Sequence, residues 1–136
     1  VSGLAAFSNV LYIGDNHDQK CYRAYPLPYL TTKTTYLSYT GIYATRDIAF
    51  EGSYDGTGSI WVANGFPGTP VRAFNTSGQW VDGLTSSDVP SAYGLAFDDE
   101  GFLWVSSLSD ASIYQVNVFE TNLDQTSWGA IKALSQ

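Results

Sequence analysis

Strand-like runs of apolar residues, broken by short polar turns, recur three times along the chain. Gly3-Leu4-Ala5-Ala6-Phe7 leads into Leu11-Tyr12-Ile13, Asp47-Ile48-Ala49-Phe50 into Ile60-Trp61-Val62, and Gly94-Leu95-Ala96-Phe97 into Leu103-Trp104-Val105. The pattern predicts strands a and b in each repeat, then an alternating strand c and, in the first two, a strand d. In the first repeat, 21–25 is strand c, 26–29 a loop carrying Pro26 and Pro28, and 34–39 strand d. In the second, 71–74 is strand c, Asn75-Thr76-Ser77-Gly78 a turn and 79–81 strand d. In the third, 93–97, 102–106 and 112–118 are strands a, b and c, with Asp98-Asp99-Glu100-Gly101 as a tight acidic turn. Strand b of this repeat is apolar at consecutive positions, the pattern of an inner strand covered on both faces.

The first apolar position steps by 44 and then 47 residues, and the strand-b aromatic by 49 and then 43. A period of about 40–50 residues built from strands is that of propeller blades. The expected fold class is all-β: a β-propeller of three antiparallel units in a single domain over 1–136. Blade one runs over about 1–41, blade two over about 42–86 and blade three over about 87–118, followed by a tail, 119–136. In the tail, Trp128, Ile131 and Leu134 lie three apart behind Ser127 as an N-cap, so a short helix is one reading and a closing strand the other. Propellers usually hold four to eight blades, so three units make half of a six-bladed ring or an assembling fragment. Outer faces rich in Trp, Tyr and Phe need a partner, either a second copy in a homo-oligomer or the remaining blades of a longer chain.

Composition narrows the function classes. Hydrophobic residues at 44% allow a packed core, while only 14% are charged, a balance that suits a secreted or cell-surface β-protein and predicts an extracellular location. The net charge of −7 and six dispersed basic residues leave no track for a phosphate backbone, so nucleic acid is not an expected partner. No apolar run approaches the roughly 20 residues of a membrane helix. Methionine is absent, which predicts a processed chain or a piece of something longer. Cys21 is the single cysteine, so neither an intrachain disulfide nor a cysteine metal site is expected.

The segments Asp47-Ile48-Ala49-Phe50…Ser59-Ile60-Trp61-Val62-Ala63-Asn64 and Gly94-Leu95-Ala96-Phe97-Asp98…Gly101-Phe102-Leu103-Trp104-Val105 resemble the blades of bacterial NHL and SMP-30/gluconolactonase-like β-propellers, over about 1–118. Thr126-Ser127-Trp128-Gly129-Ala130-Ile131-Lys132-Ala133-Leu134 is similar to the ends of some large secreted bacterial repeat proteins. The gluconolactonase-like resemblance implies a divalent metal, usually Ca²⁺, near a central channel, with ligands from a strand-a position just before the Gly-Leu pair. Here those positions hold Ser2, Arg46 and Tyr93. None is a carboxylate and Arg46 repels a cation, so Ca²⁺ is not supported and no cofactor is expected.

Other chemistry remains open along the chain. Asp15, Asn16 and Asn64 are further oxygen donors for a metal, and also the residue types that cap turns through their own backbone. His17, the only histidine, with Asp15 and Asp47 makes the weak catalytic set, a general base beside carboxylates; its polar loop reads first as surface. Tyr12, Trp61 and Trp104 hold the repeated strand-b position and are expected to fill the space between blades. Arg46, Tyr93, Trp80 and Tyr43 are the ligand-binding candidates, since rings stack on sugars and cations hold their hydroxyls. The functional expectation is a non-catalytic module for binding or self-assembly. A metal-dependent lactonase or lyase, or a glycan-binding lectin, is the alternative.

Overall fold

The computed structural model describes residues 1–52, 59–66 and 68–118. They form three antiparallel sheets, each a meander in chain order. The first holds β1 (Gly3–Phe7), β2 (Val10–Asp15), β3 (Lys20–Tyr25) and β4 (Thr32–Ser38). The second holds β5 (Thr45–Glu51), β6 (Ser59–Asn64), β7 (Val71–Phe74) and β8 (Trp80–Leu84). The third holds β9 (Gly94–Phe97), β10 (Leu103–Ser107) and β11 (Ser112–Val116). Residues 53–58, part of the long a–b connection between the second repeat's first two strands, and the helix or strand expected in 119–136 lie outside the described residues.

The repeat is visible in the register. Ala5 pairs with Tyr12 and Tyr12 with Arg23; Ala49 with Trp61 and Trp61 with Ala73; Ala96 with Trp104 and Trp104 with Gln115. An alanine on strand a thus always stands beside the strand-b ring and leaves it room.

The sheets stack face to face, and their first strands β1, β5 and β9 pack side by side along one edge. Tyr12, Cys21 and Leu37 meet Ile48, Ile60, Val62 and Phe74 between the first two sheets. Ala49, Trp61 and Val71 meet Leu95, Leu103, Val105 and Tyr114 between the second and third. Because strand side chains alternate, β6 divides its residues: Ile60 and Val62 enter one core, Trp61 and Ala63 the other. All six of its residues are buried. On β10, Leu103, Val105 and Ser107 are buried while Trp104 is only part-buried and Ser106 exposed. Among the described residues, strand b of the third repeat is therefore covered on one face, where both were expected. Among the described residues, the third sheet has a neighbour on one side.

The sheets approach closely at Gly3, where a Cβ would lie 2.5 Å from the backbone nitrogen of Ile48. Turns are set locally. Asp98 Oδ1 accepts from the N–H groups of Glu100 and Phe102, and Asn75 Oδ1 from those of Ser77 and Gln79.

Candidate functional site at the inner rim

The start of each first strand pairs with the end of each second strand: Gly3 with Gly14, Thr45 with Asn64, Gly94 with Ser106. Asp15, Asn16, His17, Tyr43, Asn64, Arg46, Asp47 and Tyr93 therefore lie along one rim, although the sequence presents them as separate strand ends and loop positions. Trp80 is not among them. It pairs with Phe74 at the opposite end of the second sheet, on the outer strand β8. There Arg72 lies 4.1 Å over its ring, and its Nε1 donates to the Asp82 carbonyl at 2.7 Å.

On the rim, hydrogen bonds tie neighbouring sheets together. Asn16 Oδ1 accepts from the Thr45 N–H at 2.8 Å, linking the first sheet to the second. Asp47 Oδ2 accepts from the Leu95 N–H at 2.8 Å, linking the second to the third, while its Oδ1 accepts from the Ile48 N–H at 2.9 Å. Burial still pushes the Asp47 carboxyl above its usual range, because desolvation outweighs those two N–H groups. Arg46 lies 4.1 Å over the Tyr93 ring and donates to the Ala92 carbonyl at 3.3 Å. Two of the four ligand-binding candidates thus engage each other.

Asn64 is buried, and its Oδ1 accepts from Tyr43 and Phe66 while Nδ2 donates to the Thr69 carbonyl. Asp15 Oδ1 accepts from the N–H groups of His17 and Asp18, and the first of these causes, the Asp18 N–H, holds its carboxyl below the usual range. The His17 side chain is exposed at this turn, and the Tyr43 ring is 76% exposed beyond it.

Sequence reasoning missed two features. Tyr22 donates to Asp18 at 2.5 Å, and Tyr114 donates to the equivalent Asp110, clasping the same turn in the first and third sheets. The residue after each aspartate, Gln19 or Ala111, has a φ near +50°. The signal was present as a repeated Asp-x-x-x-Tyr. The second feature is an aromatic cleft of about 640 Å³ at the opposite rim, lined by Phe7, Tyr12, Tyr36, Phe50 and Arg23. Tyr12 stacks on Phe50 with centroids 4.3 Å apart, and Arg23 lies 5.7 Å from the Tyr36 ring. No sequence motif joins these positions, because five strands from two sheets supply them.

No family model matches the sequence, and no curated protein matches it. Among solved structures, a luciferin-regenerating enzyme is similar over 97% of this chain and 42% of its own, at 15% identity and a TM-score of 0.58. A calcium-binding protein, regucalcin, from Agrobacterium tumefaciens is similar over 99% of this chain and 47% of its own, at 19% identity and a TM-score of 0.55. The fold is a β-propeller. The three sheets are blades, and the chain spans less than half the length of either similar structure.

One of these neighbours is described as calcium-binding. Calcium takes six to eight converging oxygens. Ser2 donates its hydroxyl to the Gly14 carbonyl, and Arg46 stacks on Tyr93. Asp47, Asn64, Asn16 and Asp15 accept from backbone N–H groups at four different places. Among the described residues, no three His, Cys, Asp or Glu side chains gather. These residues do not fit a calcium ion, and no reaction step is derived through one.

Proposed function

We propose that this propeller is a non-catalytic module for binding or assembly in a secreted or cell-surface setting. One observation carries the reading: the oxygen-bearing side chains of the inner rim hold the blades' own backbone. An acid–base or metal site needs groups that converge on a substrate. Here Asp47 joins two blades, Asn16 joins two blades, and Arg46 is stacked on Tyr93. His17 and Asp47 belong to different blades, and Asp15 accepts from the His17 backbone N–H.

The test is a hydrolysis screen of sugar and fatty-acid lactones with the purified chain, run with added Ca²⁺ and with a chelator. The reading expects background rates in both arms. Turnover that the chelator abolishes would overturn it and favour the metal-dependent lactonase.

The aromatic cleft supports a second reading, glycan binding. Flat rings beside a guanidinium suit the apolar face and hydroxyls of a pyranose. A glycan array probed with the chain and with Arg23→Ala tests it. Signal lost in the variant supports this reading, and an empty array removes it.

A further inference from the structure

The blade-to-blade contact occurs twice inside the chain, always in the same sense. The face bearing the strand-b ring packs on the next blade's face bearing the first-strand aliphatic residue. Tyr12 and Ala5 thus face the Ile48 side of blade two, and Trp61 and Ala49 the Leu95 side of blade three. Continuing the repeat leaves one face of each kind without a described partner. Blade three presents Trp104 beside Ala96 and Gln115, with Ser106 and Ile113 on the same face. Blade one presents Leu4 beside Ile13, with Leu11, Ala6 and Tyr22. Leu4 is 57% exposed, whereas its equivalents Ile48 and Leu95 are buried. Ile113 is 49% exposed, whereas its equivalent Val71 is fully buried.

We propose that these two faces dock on a second copy of the chain, head to tail. Blade three of each copy lies against blade one of the other, and two chains close a ring of six blades. The inference deepens the assembly reading above and names its partner. Three arguments identify a second copy. The missing contact continues an interface that the chain already makes twice. Apolar side chains carry both faces, and the charged groups beside them are engaged within the chain: Lys33 lies 4.2 Å over the Tyr22 ring and Asp98 accepts from Trp104 Nε1–H. Each similar solved structure is a little more than twice as long as this chain, and six blades fall within the propeller range. A head-to-tail contact closes into a ring when the rotation per step divides the circle, so two chains of three blades close where each blade turns by one sixth of it.

Sedimentation velocity of the full chain across the micromolar range tests this, alongside Trp104→Arg and Leu4→Arg. Both side chains sit on open faces, so each variant keeps its β-type circular dichroism and a cooperative unfolding transition. The expected result is a dimer, weakened at least about a hundredfold by either substitution. Mixing the two variants restores a dimer, because the mixed pair keeps one intact contact. A wild-type monomer would overturn the proposal, including one whose tail covers blade three. So would a dimer that survives both substitutions, or one sensitive to only one of them. Lactone turnover by a dimer would overturn the non-catalytic reading and leave the docking intact, so the two failures are separable.

Discussion

Asp47 stands where the other repeats carry Gly3 and Gly94, and that exchange turns a close approach into a bond between blades. Its two oxygens hold the Ile48 and Leu95 N–H groups. Asp47→Ala removes both acceptors and is expected to cost about 1–3 kcal/mol in urea unfolding, since an unmet donor costs more than a bond gives. A change near zero would show that solvent takes over the Leu95 N–H. Cys21 gives a second residue-scale prediction. It is fully buried, and burial pushes its thiol up to about 12; burial likewise pushes the Tyr39 hydroxyl up to about 12. Both folded values lie above the ordinary 9.0 and 10.0, so the neutral forms favour the fold. That stability is complete below the unfolded values and is lost as pH rises from about 9 toward 12. Denaturation midpoints measured from neutral to strongly alkaline pH should fall across that window. The native thiol should also stay unlabelled by an aromatic disulfide reagent at mildly alkaline pH until urea is added.

The strands were largely legible in the sequence because their apolar alternation is local. β1 and β7 coincide with the runs read from residues alone, and β3 begins one residue before its run. The strand-b rings show where that legibility ends. Tyr12, Trp61 and Trp104 are equivalent in register, yet Trp61 is fully buried while Trp104 is only part-buried and donates its Nε1–H to Asp98. What differs is the sheet on the far side, which no local pattern encodes. The rim was legible as residue types and not as geometry. Arg46 and Tyr93 are 47 positions apart, so their stacking depends on how two blades meet. The contrast between the rings is measurable. Trp61→Ala should cost about 3–5 kcal/mol, and Trp104→Ala about 1–2 kcal/mol in dilute protein, where its open face is solvated. Equal costs would mean that Trp104 is already covered. Gly3→Ala should also destabilise the stack, because its Cβ would fall on Ile48 backbone that cannot swing away.

At the scale of the whole molecule, three blades share one rim whose polar side chains join blade to blade. The outer blades keep faces built like those already packed inside. The proposed binding or assembly role rests on that arrangement, because the rim groups hold the scaffold. The cleft with Arg23 and the open faces with Trp104 and Leu4 are instead presented outward. The central claim is that the rim's oxygens are engaged by its own backbone. Equilibrium dialysis of the full chain against Ca²⁺, read as bound ions per chain, tests it most directly. The account predicts no saturable site over the range in which extracellular calcium modules fill, about 10⁻⁴–10⁻³ M. One tightly bound ion per chain, lost in Asp47→Asn, would contradict it.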